Sequence, residues 1–145
     1  MNKTIIKFFF EDTEEIKLPE KEIEKWILQI IDSEESIFGF INVVICSDKY
    51  LLNVNREYLN HDFFTDIITF DLSDNELLNT DIFISVDRVY ENSKSLNINF
   101  YTELYRIISH GILHMIGYSD KKEEEKLIMR NKEDYYLNMM FDNEK

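Results

Sequence analysis

With a single cysteine, Cys46, the chain cannot close an intrachain disulfide, so its fold has to be held by packing. That usage suits a reducing compartment, and the cytoplasm is the expected location. One proline and three glycines among 145 residues leave little room for flexible linkers or low-complexity tracts. A single domain over residues 1–145 is expected, large enough to bury roughly 70% of the surface its unfolded chain exposes. Cationic side chains are also scarce: 16 Lys and Arg stand against 29 Asp and Glu, a formal net charge of -13. This excludes strong non-specific attraction to nucleic acid or to an anionic membrane, although a cation bound in a cleft can reverse the potential locally. No apolar run is long enough to cross a bilayer. The opening MNKTIIKFFFEDTEE, interrupted by Lys7 and lacking a small-residue cleavage site, reads as a strand rather than a signal peptide.

What the chain has is a core: 44% of its residues are hydrophobic and 14% aromatic. IIKFFF at 5–10 predicts a strand, with its three phenylalanines read as core. After Pro19, the apolar positions Ile23, Trp26, Ile27, Ile30 and Ile31 recur at helical spacing. FGFINVVIC at 38–46 is nearly all apolar and predicts a central strand that ends on a buried, inert Cys46 thiol. Ser47 is placed to cap a helix whose Leu51, Val54 and Tyr58 face inward. TDIITF at 65–70 and TDIFISV at 80–86 predict a hairpin, and a helix over 87–97 follows, capped by Ser85. Asn99 caps a helix from about residue 100 to Gly117, and a charged helix runs from about Lys121 to Met140. The acidic runs EDTEE and KKEEEK read as solvated faces, the second also opposing the positive end of the last helix. The order β-α-β-α-β-β-α-α-α predicts an α+β fold with a small mixed β-sheet covered by helices.

HGILHMIGYSD at 110–120 carries two of the three histidines and two of the three glycines. Residues four apart on a helix lie about 40° apart around its axis, so His110 and His114 can converge on one ion. Glu103 and Arg106 share their side, while Leu104, Ile108, Ile112 and Met115 point the other way. The residue after His110 is Gly111, not the glutamate of HExxH peptidases, so the general base of that chemistry is missing. Gly117 can end the helix and turn the chain back, which makes Asp120 a candidate third ligand. The last helix could equally use Asp120 as its cap, and His61, in the loop LNHDFFTD, is a rival ligand. Three protein ligands and an open position describe a catalytic zinc rather than a structural one.

Together, YLNHDFFTDIITF at 58–70, TDIFISVD at 80–87 and HGILHMIGYSD, in this order and spacing, resemble the YbeY-like family of bacterial metal-dependent endoribonucleases associated with ribosomal RNA maturation. The family motif HGxLHLxGYDH holds zinc with three histidines. Its first two match His110 and His114, and Asp120 stands at the place of the third, so the resemblance implies one zinc ion per chain held by His110, His114 and Asp120. Where the family commonly reads YRGxDxPTD, this chain has Leu59 at the place of an arginine and Phe64 at that of the proline. Asp66 and Thr65 match the family's loop residues beside the metal, in supporting roles. Phe70 matches as a core residue, and Asp81 as scaffold. Arg106, one turn before His110, is the cation that could act at the cleft, unless an acidic neighbour such as Glu103 neutralises it.

The resemblance implies metal-dependent hydrolysis of single-stranded RNA at the 3' end of the small-subunit (16S) ribosomal RNA precursor. Expected partners are that RNA and the small ribosomal subunit or an assembly protein, with no membrane and no DNA. The alternative is a non-catalytic ribosome assembly factor whose metal is structural.

Overall fold

The computed structural model describes residues 3–144. In chain order the elements are β1 (Ile5–Glu11), α1 (Glu20–Ser33), β2 (Phe38–Cys46), α2 (Asp48–Leu59), β3 (Ile67–Asp71), β4 (Leu78–Ser85), α3 (Val86–Leu96), α4 (Phe100–Ile116) and α5 (Glu123–Asn143). Their succession is the one expected, and the result is an α+β domain whose small mixed sheet is covered by helices. The strand order is β1-β2-β4-β3. β1, β2 and β4 run parallel, and β3 returns antiparallel to β4 as a hairpin.

The continuous hydrophobicity of β2 follows from its inner place in the sheet, buried on both faces. On one face its Ile41, Val43 and Ile45 join Trp26, Ile108, Ile112 and Tyr136 in the main core. Complete burial of one such apolar side chain contributes about 1.5–3 kcal/mol. Trp26 also donates its indole N–H to the Tyr136 carbonyl at 2.7 Å, which ties α1 to α5. On the other face Cys46, Leu51, Val54 and Ile68 form a smaller cluster under α2. Burial pushes the Cys46 thiol up to about 12, with nearby carboxylates adding to the effect, so it stays protonated.

Local polar signals act as read: Ser47, Ser85 and Asn99 accept from the backbone N–H of Tyr50, Arg88 and Tyr101 respectively. Three readings need correction. Tyr58 is exposed, because α2 ends one residue later and the ring rests edge-on against Phe70 rather than under the sheet. The FFF run is split by strand alternation: Phe8 and Phe10 pack on the main core, whereas Phe9 lies on the opposite, more exposed face of the edge strand β1. Finally, α5 starts at Glu123 with Lys122 as its cap, so Asp120 is not the capping residue.

Candidate metal centre

α4 lies unusually close to the sheet. A Cβ at Gly111 would stand 2.9 Å from Ile67 Cδ1 and 3.2 Å from Thr69 Cγ2, so any larger residue would make those side-chain ends shift where the helix crosses β3. The flanking imidazoles are carried past the edge of that contact. His110, His114 and Asp120 line one small cavity of about 160 Å³ together with Ile67 and Thr69.

Gly117 makes the return possible. Its φ of +126° lies in the region that disfavours L side chains, and its N–H bonds back to the carbonyls of Leu113 and His114. Three residues on, Asp120 Oδ2 stands 3.4 Å from His110 Nε2. The other nitrogen of each ring is engaged: His110 Nδ1 is 2.8 Å from Glu133 Oε2, and His114 Nδ1 is 3.2 Å from the Tyr118 carbonyl oxygen. A carboxylate and a carbonyl accept only, so Nδ1–H is the donor in both rings, and Nε2 is the nitrogen that a neutral ring would turn to an electrophile. The bond to Glu133 holds His110's pKa above its ordinary value against the opposing effect of burial, and Asp120 and Asp66 add to the rise.

By type, two neutral imidazoles and one carboxylate suit zinc. As the side chains stand, no set of three or more His, Cys, Asp or Glu among the described residues is close enough together to hold an ion. The two histidine rings are nearly parallel with centroids 6.4 Å apart, and Asp120 approaches only the first of them in an ion pair. His61 is exposed, stacked on Phe63, and stands outside the cavities that His110 lines.

Glu133 is the residue that sequence reading missed. It is 6% exposed and lies in the buried stripe Met129, Glu133, Tyr136, Leu137, Met140 of α5. The available signal was a single carboxylate interrupting an apolar face at helical spacing. Arg106 bonds to Glu133 Oε1 at 3.1 Å and to Asp134 at 2.9 Å, so its ion-pair partners come from α5 rather than from Glu103. Asp66, Glu103, Arg106, His110, Asp120 and Glu133 all line a second, larger cavity of about 400 Å³. There Asn92 donates to Glu103 at 3.2 Å and to Asp66 at 3.4 Å. Burial holds the Glu103 carboxyl above its usual range, and its second oxygen has no hydrogen-bond partner. Asp81 bonds to Asn42 on the sheet face that carries Phe83, away from α4, which makes it scaffold.

The loop that carries Asp120 is clamped from below. Tyr118 donates its hydroxyl to Glu34 at 2.6 Å, Lys132 reaches the same carboxylate at 3.0 Å, and Tyr136 donates to it as well.

The family model described as Endoribonuclease YbeY matches residues 8–140. A protein of Karelsulcia muelleri named Endoribonuclease YbeY is 49% identical over 113 residues, 78% of this chain and 80% of its own length. One of the same name from Cytophaga hutchinsonii is 43% identical over 140 residues, 96% of this chain and 98% of its own. The chain belongs to the YbeY endoribonuclease family. The solution structure of TM1509 from Thermotoga maritima has the same fold, with a TM-score of 0.66 at 22% identity over 92% of this chain and 89% of that one. At the positions where the chain departs from the motifs it resembles, Asp120 stands beside His110, and Leu59 ends α2 with its side chain exposed.

Proposed function

We propose that this YbeY-family chain is a zinc-dependent endoribonuclease that cleaves single-stranded RNA in maturation of the 3' end of the small-subunit (16S) ribosomal RNA, in the cytoplasm. Membership of the family supports a metal-dependent endoribonuclease role in ribosomal RNA processing. The observation that carries the site is His110, flanked by Asp120 at Nε2 and by Glu133 at Nδ1, with His114 lining the same cavity.

His110, His114 and Asp120 are the residues that would hold the ion. When bound, zinc supplies Lewis acidity: it makes a water nucleophilic near neutral pH and offsets charge on a phosphoryl oxygen. The chain's own side chains set the conditions. Glu133 keeps the proton on His110 Nδ1 and fixes the ring, the usual task of a carboxylate behind a ligand histidine. Arg106 is largely neutralised by two carboxylates, so it anchors Glu133 as much as it offers charge to a phosphate. Lys126 and Arg130, half exposed at the larger cavity, are the cations better placed to meet the RNA backbone. Asp66, bonded by Asn92, steadies the entry to β3. Because the chain carries a net charge of -13, delivery of the RNA by the small subunit or an assembly protein fits better than long-range capture.

The test is zinc per polypeptide for the native chain and Asp120→Ala, with cleavage of a precursor transcript spanning the 3' end. About one zinc in the native chain, a marked loss in the variant and cleavage by the zinc-loaded native chain are expected. Full retention of zinc by the variant would move the third ligand elsewhere. A native chain that holds zinc, loses it only on unfolding and leaves the transcript uncut would favour an assembly factor.

A further inference from the structure

The loop between α2 and β3 presents aromatic rings to solvent from a hydrogen-bonded backbone. Its Phe63 and Phe64 are each 55% exposed, and Tyr58, in the last turn of α2 beside it, is 68% exposed. Isolated exposed apolar side chains need no explanation, but several on one ordered loop do. The order comes from Asn55, a polar residue only 1% exposed, whose amide donates to the Phe63 carbonyl at 2.9 Å while its own carbonyl accepts from His61 N–H at 3.1 Å. Asn60 takes the left-handed conformation that turns the chain, and Arg56 pairs with Asp62 across the loop. The His61 ring lies 5.1 Å from that of Phe63 with 22° between their planes, and the Arg88 guanidinium sits 5.6 Å from the centre of the Phe64 ring. The ordering cost of such a surface is therefore met before any ligand arrives.

We propose that this loop is a stacking platform for the unpaired bases of single-stranded RNA, with Phe63 and Phe64 as its principal rings. The proposal rests on the endoribonuclease reading for the identity of its ligand. Three observations favour RNA as the occupant. The loop is continuous with the candidate cleft: Asp66 and Ile67 line the cavity that holds His110, and Phe63 is three residues upstream, no more than about 11 Å along an extended chain. Next, a chain with a net charge of -13 gains little from phosphates, whereas a base stacked on an aromatic ring contributes about 1–3 kcal/mol without any basic stripe. Lastly, the two guanidinium groups at the loop, Arg56 and Arg88, already pair with Asp62 and Asp48, which leaves the ring faces as the main attraction.

The experiment is fluorescence anisotropy with a labelled adenine homopolymer and the metal-free full chain, compared with Phe63→Ala, Phe63→Leu, Phe63→Trp and, as an exposed aromatic elsewhere, Tyr135→Ala on α5. Phe63→Ala weakens binding about 5- to 150-fold, the range of one lost stacking contact. Phe63→Leu, which keeps apolar bulk without a π-face, falls with it; Phe63→Trp and Tyr135→Ala bind as the native chain does. The salt dependence is shallow and the same in native and Phe63→Ala chains, since no phosphate contact is removed. Native-like binding by Phe63→Ala or Phe63→Leu would overturn the proposal. So would an absence of binding by the native chain, or a concentration-dependent dimer abolished by Phe63→Ala, which would assign the rings to a second copy. With zinc added, cleavage whose KM is unmoved by Phe63→Ala removes the platform and leaves the reaction. Phe63-dependent binding without any cleavage removes the reaction and leaves the platform.

Discussion

The seam between α4 and α5 and the loop between α2 and β3 both border the cavity at His110, yet they are built in opposite ways. At the seam a buried carboxylate joins a half-buried guanidinium and a half-buried imidazole, Glu133 engaging both Arg106 and His110. In the loop the polar groups work inside the backbone, and apolar rings are left facing water. Buried charge networks fix geometry at the cost of desolvation, while exposed rings offer contact area with little directional demand. The difference matches the two tasks proposed for them: holding an ion, and accepting bases of any sequence.

The comparison can be broken most forcefully at Glu133. Glu133→Ala should destabilise the fold by about 3 kcal/mol, because Arg106 is left half-neutralised beside a mostly buried gap, and denaturant unfolding would read this loss. The gentler Glu133→Gln sharpens the contrast. It should weaken zinc about 10- to 100-fold in chelator competition while leaving RNA binding by the metal-free chain unchanged, the converse of Phe63→Ala. Next in size is Gly117→Ala. An added Cβ meets nothing within 4 Å, so the expected loss of about 1–2 kcal/mol is purely conformational, and zinc affinity should fall with it because the turn aims Asp120.

The smallest effect concerns pH and the clamp below the Asp120 loop. Burial alone would raise the Glu34 carboxyl, but the Tyr118 and Tyr136 hydroxyls and Lys132 outweigh it and hold the pKa below its ordinary value of 4.5. A carboxyl depressed in the folded state binds its proton more readily when unfolded, so its stabilisation is present above that ordinary value and fades as pH falls through the folded one. Glu34→Gln should therefore lower the melting temperature at pH 7, with the gap to the native chain closing below about pH 4.5. A gap that stays constant down to pH 3 would show that the carboxylate charge is not what holds the loop.

What was legible in the sequence was local. Ser47, Ser85 and Asn99 announce their helices because a cap acts on the next two or three residues, and Gly117 announces a turn for the same reason. His110 and His114 could be paired because helical geometry alone sets their separation. Glu133 could not be joined to them: it is 23 positions from His110, and nothing in periodicity says which residues of two helices meet. Tyr58 was misplaced because spacing identifies a helix face but not where the sheet beneath it ends, and in FFF hydrophobicity concealed the alternation that turns Phe9 outward. The close passage of Gly111 over Ile67 is likewise a property of two elements and is absent from either alone.

The place of Glu133 on the last helix also has a consequence in time. During synthesis the chain emerges from its N-terminus, so both histidines and Asp120 leave the ribosome before the carboxylate that orients His110. A nascent chain ending near residue 125 carries His110, His114 and Asp120 but neither the Glu133 contact on His110 nor the Tyr136 and Lys132 contacts that steady the Asp120 loop. The carboxylate that engages His110 and the Tyr136 and Lys132 contacts that steady the Asp120 loop are all made only when α5 docks, so this corner of the domain depends on a single packing event.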